Sequence, residues 1–393
     1  MTHPPGAGSA LPARSWLGLL GGGQLGRMFT QAAQAMGYRV CVLDPAATGP
    51  TAALADRHIQ AAYDSEPALA ELAALCPAVT TEFENVPASS LDFLAARVRV
   101  SPEGSAVAVA QDRIAEKAFV RGCGVDTAPT IEVRRARDLE VARADLFPAI
   151  LKAARLGYDG KGQTRVASRA EAASAFIGLG EVACVLEKRV DLACEVSVLI
   201  ARDRGGRMVV WPPARNVHRE GILHTSTVPC GLDSALTDRA ISQSTTIAER
   251  LNYVGVLCIE FFVLRDGSLY VNEMAPRPHN SGHWTLNASV TSQFEQQVRI
   301  LAGLPLGDTR ALAPAVMLNL LGDLWFSSPD GSAVREPDWE AVLRECPSAK
   351  LHLYGKAEAR RGRKMGHLTM IGHDLESAVS DCARAAALLG LVP

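Results

Sequence analysis

Glu260 and Glu273 are the residues whose type and spacing first suggest chemistry. Glu260 lies inside the apolar run Val256-Leu-Cys-Ile-Glu-Phe-Phe-Val263, where an ionised carboxylate is costly without a partner. Arg265-Asp-Gly-Ser268 carries an Asp-Gly hairpin signal, so Gly255–Val263 and Leu269–Glu273 are expected to pair as antiparallel strands. With the turn at Asp266-Gly267, Glu260 and Glu273 face each other across the ladder and project from one face. Two opposed carboxylates repel unless a cation lies between them. Hard oxygen ligands suit magnesium, which also takes oxygens from a nucleoside triphosphate. The alternative is a solvated strand pair, which the apolar neighbours of Glu260 disfavour.

Two other segments are rich in groups that bind anions. Gly157-Tyr158-Asp159-Gly160-Lys161-Gly162-Gln163 combines three glycines with a lysine. It reads as a cationic flap able to fold over phosphates and exclude water, or as a mobile surface loop. Lys152, at the end of the expected strand Pro148–Lys152, adds a point charge for the same phosphates and favours the first reading. Asn272-Glu-Met-Ala-Pro-Arg-Pro-His-Asn-Ser-Gly-His-Trp284 follows the hairpin directly. In it, Arg277 is placed to hold a small anion such as bicarbonate or its phosphorylated form. His279 and His283 stay open between structural and chemical roles.

The elements that position these residues fall into three regions. Trp16–Leu20 reads as a buried strand, Gln24–Met36 as a helix and Tyr38–Leu43 as a second strand. Further βα units through Val98–Ser101 argue for a doubly wound parallel sheet. Between the first strand and helix, Gly21-Gly-Gly-Gln-Leu-Gly26 fits G-x-G-x-x-G, with Asp44 closing the second strand. That spacing matches a dinucleotide fingerprint. Its physics is broader: glycines and a helix N-terminus suit any phosphorylated ligand, and a tight turn with no ligand fits as well. The expected divisions are a disordered tail over 1–14, a Rossmann-like domain over 15–110, a nucleotide-binding domain over 111–310 with lobes of about 111–186 and 187–310, and a C-terminal domain over 311–393.

Composition narrows the function classes. The chain has 393 residues and a net charge of -2, so neither nucleic acid nor a membrane surface is implied as a partner. The nine cysteines form no CxxC pair, as expected of reduced buried thiols in a cytoplasmic protein. No apolar run approaches the roughly 18 residues of a membrane helix.

Taken together, these motifs resemble the ATP-grasp superfamily, and within it the branch that carboxylates 5-aminoimidazole ribonucleotide in de novo purine synthesis. The resemblance spans the chain beyond its tail. It rests on Gly21–Met28, Thr81-Glu-Phe-Glu-Asn85, Gly157–Gln163, Glu195-Val-Ser197, Asn216-Val-His218, Asn272–Trp284 and Arg363-Lys-Met-Gly-His367. It implies a mixed α/β and α+β architecture, with ATP as co-substrate between two lobes and magnesium or manganese as cofactor. Arg113, Lys152, the Gly157–Gln163 flap, Glu187, Lys188, Arg189, Val190, Glu195, His218, Asn272 and Glu273 match its nucleotide-binding positions. Glu187–Val190 would read the adenine through backbone groups, and Glu195 would hold the ribose. Glu260 and Glu273 match the metal ligands, and Arg277 and Lys161 the catalytic cations. Gln24, Leu25, Glu82, Asn280, Lys356, Arg363 and Lys364 match positions that hold the ribonucleotide. The resemblance also implies bicarbonate as a substrate and a homodimer. One departure stands out: Arg360-Arg361 adds a cation where the family often has proline. A formate-using transformylase of the same superfamily, a nucleotide-binding sensor and a nicotinamide dehydrogenase are the competing readings. The sensor would be expected to lack a metal carboxylate, and the dehydrogenase leaves the opposed glutamates unexplained.

Overall fold

The computed structural model describes residues 9–157, 162–326 and 334–391. Its N-terminal unit is a parallel five-stranded sheet. The strands are β1 (Trp16–Leu20), β2 (Arg39–Asp44), β3 (Arg57–Gln60), β4 (Ala78–Thr81) and β5 (Arg99–Val100), in the order β3-β2-β1-β4-β5. The central strands are buried along most of their length, as strands covered on both faces must be. The helix Gln24–Ala35 packs tightly on β1 at Gly26, where a Cβ would lie 2.8 Å from Leu19 Cδ2 and 2.5 Å from Thr51 Oγ1. That close approach requires glycine.

Residues 9–14 depart from the disordered tail expected through Arg14. Leu11 is buried, its amide donates to the Ala302 carbonyl at 2.8 Å, and its carbonyl accepts from the Tyr38 hydroxyl at 3.0 Å. One apolar anchor with satisfied backbone groups is enough to order a segment whose composition argues for disorder.

A second, antiparallel sheet holds β6 (Thr130–Val133), β7 (Ala149–Ala153), β8 (Gln163–Val166) and β9 (Cys184–Lys188), in the order β6-β9-β7-β8. The third has nine strands. β10 (Leu192–Arg202), β12 (Ala214–Arg219), β13 (Ile222–Val228), β14 (Gly255–Leu264) and β15 (Leu269–Ala275) form the large lobe, with β11 (Met208–Val210) against β10. β16 (Ala315–Leu321), β17 (Lys350–Leu353) and β18 (Lys364–Ile371) extend the same sheet, because β16 pairs with β13. Among the described residues, the C-terminal region therefore adds no sheet of its own. The two short strands β12 and β13 make this junction, and they carry little apolar periodicity to announce them.

Alternation along β14 separates core from site. Leu257, Ile259, Phe261 and Val263 enter one hydrophobic core with Ile247 and Ala248 of the helix Ser234–Arg250. Glu260 points from the opposite face.

Candidate active site

Glu260 pairs directly with Glu273 across β14 and β15, and with Ser197 across β14 and β10. The pairing is not a regular ladder. Phe261 pairs with Val271, so Asn272 is an extra residue without a partner, a β-bulge. Val271 lies on the core face with Phe261. Regular alternation would turn Glu273 to that same face, and the bulge returns it to the side of Glu260. Burial, then the neighbouring Glu273, pushes the Glu260 carboxyl up to about 7. Burial also opposes ionisation of Glu273, but the Arg113 guanidinium at 2.9 Å holds its carboxyl below the usual range. One cation thus lies against Glu273 already, whereas Glu260 faces the His279 imidazole, its Nε2 3.7 Å from Oε1. An all-oxygen donor pair in this state fits a hard divalent cation. Among the described residues no group of three or more His, Cys, Asp and Glu side chains is placed to hold a metal, so other oxygens must complete its shell.

These glutamates sit at one end of a cleft of about 370 Å³ whose walls include Arg113, Lys152, Val190, Glu195, His218, Asn272 and Asn280. Arg113 enters it from the helix Arg113–Gly122, which Asp112 caps by accepting from the Ile114 and Ala115 amides. Lys152 is buried and donates to Glu187 Oε1 at 2.6 Å. Its charge is therefore shared with a carboxylate, not free as the sequence alone suggests. The Lys188 and Arg189 amides donate to the Pro129 and Pro148 carbonyls at 2.8 and 2.9 Å. Tyr158, Asp159, Gly160 and Lys161 of the flap lie outside the described residues; Gln163 lines the cleft from β8.

Glu195 and His218 meet across the neighbouring strands, with His218 Nδ1 3.0 Å from Glu195 Oε2. Burial opposes the imidazolium, but the Glu195 carboxylate against Nδ1 and the Glu260 carboxylate raise its pKa to about 8. A histidine raised in the folded state adds stability that is complete below about pH 6.5 and is lost as pH rises through about 8. Denaturation midpoints measured at about pH 6 and about pH 9 should differ by on the order of 1 kcal/mol more in the parent than in His218→Gln. Equal pH dependence in the two would remove His218 from this role.

A second cleft of about 670 Å³ adjoins the first and is lined by Gln24, Leu25, Glu82, Asn280, Lys356, Arg363 and Lys364, among others. All seven residues expected around the ribonucleotide thus share one cavity. Part of the glycine loop is already engaged. Glu82 accepts from the Gly23 and Gly26 amides at 2.5 and 2.6 Å, and Asp44 accepts from Gly22 at 2.6 Å. Asp44 therefore closes the loop internally and is not held out for a ribose. The Gln24 and Leu25 amides are first-turn donors that the helix cannot satisfy itself. Asn280 is 7% exposed, and neither its side-chain nitrogen nor its oxygen has a partner among the described residues. A buried amide left open in this way is explained by a ligand.

Arg277 lies between these regions with its Nε paired to Glu84 and its Nη1 donating to the Pro278 carbonyl at 3.1 Å. Glu84 was not anticipated, although it stands in the Thr81–Asn85 motif. Lys117, which pairs with Glu187 at 2.6 Å, was also missed. Its signal was a lysine four residues after Arg113, on the same helical face. His279 is held by Ser281, and His283 by Gln293. His283 packs among the buried rings of His367, Phe294 and Tyr354, tilted against the first two and edge-on to the third, the structural alternative for that residue.

The three-part chain, its two-lobed cleft and the opposed carboxylates define an ATP-grasp protein. Residues 118–294 match the ATP-grasp domain, residues 15–111 the ribonucleotide synthetase preATP-grasp domain and residues 315–381 the phosphoribosylaminoimidazole carboxylase C-terminal domain. The N5-carboxyaminoimidazole ribonucleotide synthase of Brucella melitensis is 47% identical, covering 92% of this chain and 98% of its own length. The chain belongs to the N5-carboxyaminoimidazole ribonucleotide synthase family. The Staphylococcus aureus N5-carboxyaminoimidazole synthetase complexed with ADP superposes with a TM-score of 0.87 at 36% identity, over 96% of this chain and 98% of that one. The Aspergillus clavatus N5-carboxyaminoimidazole synthase, in complex with ADP and 5-aminoimidazole ribonucleotide, gives 0.87 at 28% identity over 96% and 99%.

Proposed function

We propose that the protein carboxylates the amine of 5-aminoimidazole ribonucleotide with bicarbonate and ATP, in de novo purine synthesis. The observation that carries this reading is that His279, Asn280 and Lys364 line both clefts. A nucleotide in one cleft and a ribonucleotide in the other would meet at that shared wall.

ATP binds in the cleft between the lobes. Glu195 holds the ribose hydroxyls, and Arg113, Lys152 and Lys161 of the Gly157–Gln163 flap hold the phosphates. With the Lys188 and Arg189 amides already bonded, adenine is read by the Val190 amide and the segment's carbonyls. Glu260 and Glu273 would hold magnesium or manganese, which when bound offsets charge on the transferred phosphoryl group. Arg277 binds bicarbonate, whose oxygen attacks the γ-phosphorus as the bond to the β-phosphate oxygen breaks. ADP and carboxyphosphate result. The amine then captures the carboxyl carbon, from carboxyphosphate or from the carbon dioxide it releases, while phosphate departs and the nitrogen loses a proton. Gln24, Leu25, Glu82, Asn280, Lys356, Arg363 and Lys364 hold the ribonucleotide so that its amine faces Arg277. Positioning and fixed charge supply the rate, and no nucleophilic side chain is needed. The enzyme works as a cytoplasmic homodimer; among the described residues no helix is long and apolar enough to cross a membrane.

Purified protein should release phosphate from ATP only when bicarbonate and 5-aminoimidazole ribonucleotide are both supplied. Turnover with formate and glycinamide ribonucleotide instead would move the protein to the transformylase branch.

A further inference from the structure

Lys117 takes no part in the chemistry described so far, yet it is 2% exposed and lies between the lobes' nucleotide-binding elements. Its Nζ is 2.6 Å from Glu187 Oε2 on β9 and donates to the Asn272 carbonyl on β15 at 3.2 Å. Asn272 is the bulged residue, left without a ladder partner. Glu187 accepts from Lys152 through its other oxygen, at 2.6 Å. One ammonium group thus touches the carboxylate that holds Lys152 and the backbone kink that turns Glu273 towards Glu260.

We propose that Lys117 is a positioning residue of the nucleotide site, pinning the bulge under Glu273 and keeping Glu187 paired so that Lys152 can turn to a phosphate. This rests on the ATP-dependent function proposed above. A buried carboxylate needs a cation at all times. With Lys117 in place, Glu187 keeps one when Lys152 engages ADP or ATP. Without Lys117, each contact of Lys152 with a phosphate would compete with an uncompensated Glu187. Burial raises the Glu187 pKa, but Lys152 and Lys117 together hold it down at about 2, consistent with a carboxylate shared between two ammonium groups. The bulge carbonyl in turn accepts from Lys117, and losing Lys117 frees the bulge to relax towards the regular register.

The two effects separate in a calorimetric titration of ADP into the full chain, with and without magnesium. Lys117→Met should weaken metal-free ADP binding about tenfold. Adding Glu187→Gln removes the competing carboxylate, so the double variant should recover most of that loss. The gain in ADP affinity brought by magnesium should stay reduced in both variants, because neither restores the clamp on Asn272. A role in general packing predicts no rescue by Glu187→Gln. Parental ADP affinity in a folded Lys117→Met protein, or a double variant that binds no tighter than the single one, would overturn the proposal. Should Lys117→Met fail to fold, the double variant carries the test: a normal magnesium gain in it contradicts the clamp. Absence of ADP binding by the parent chain would instead sink the proposed function.

Discussion

Glu273→Gln should lose bicarbonate-dependent ATP turnover by about 10²–10³-fold while the protein stays folded. Glutamine preserves the shape of the side chain and its place across from Glu260, so the hairpin and its bulge remain. What disappears is the negative charge. Glu273 is the carboxylate that is ionised in the resting protein, because Arg113 lies 2.9 Å away. Its partner Glu260 is pushed up to about 7, by burial first and by Glu273 second. Removing Glu273 therefore leaves one carboxylate that ionises reluctantly, and a divalent cation needs charged oxygens. Arg113 also loses its ion-pair partner, leaving only the more distant Glu116 and Glu187 carboxylates to offset its charge, which favours the triphosphate over the metal. The prediction accordingly separates two quantities. Metal-dependent turnover should collapse, while metal-free ADP binding, measured by calorimetry, should change little or tighten. Retained turnover with normal magnesium dependence would refute the metal assignment.

Arg277 should be nearly as sensitive, and for a geometric reason. Its Nε is committed to Glu84 and one Nη1 hydrogen to the Pro278 carbonyl, which fixes the plane of the guanidinium and leaves its other donors for an anion. Burial opposes its charge, but Glu84 outweighs that and raises the pKa above the usual arginine value. A lysine there has one point charge and no fork, and cannot serve Glu84 and a planar anion together. Arg277→Lys should therefore behave almost like Arg277→Met, each losing about 10²-fold in turnover, with the loss in the bicarbonate dependence and not in ADP affinity. Initial rates against bicarbonate concentration decide this. A lysine variant with near-parental rates would mean that charge alone matters and that the Glu84 contact does not.

The facing of Glu260 and Glu273 agrees with the expectation from the Asp266-Gly267 turn, but by another route: next to the turn Val263 pairs with Leu269 and Phe261 with Val271, a register that alone would set Glu260 against Asn272. The bulge at Asn272 was not legible, since nothing in its residue type announces an extra residue; only the conflict between Val271 facing the core and Glu273 facing the cleft requires one. The glycine loop was readable as an anion-binding turn, but not that Glu82 and Asp44 would fill three of its amides. That depends on a strand-end acid 59 residues from Gly23, a non-local contact that periodicity does not carry. Lys152 and Arg277 were identified by type and place. That Glu187 would pair with Lys152 and Glu84 with Arg277 was not legible, because ion pairs between distant segments follow from topology. Residues 9–14 read as a tail from their composition, and a single leucine over the core reversed that.

The most direct measurement of the central claim follows the oxygen of bicarbonate. If bicarbonate attacks the γ-phosphorus of ATP in this cleft, turnover with [¹⁸O]bicarbonate and 5-aminoimidazole ribonucleotide should leave one labelled oxygen in each phosphate released, detected by ³¹P NMR or mass spectrometry, with carboxyaminoimidazole ribonucleotide formed in equal amount. Phosphate carrying no label, from a reaction that still yields product, would contradict activation of bicarbonate by the site built around Glu260, Glu273 and Arg277.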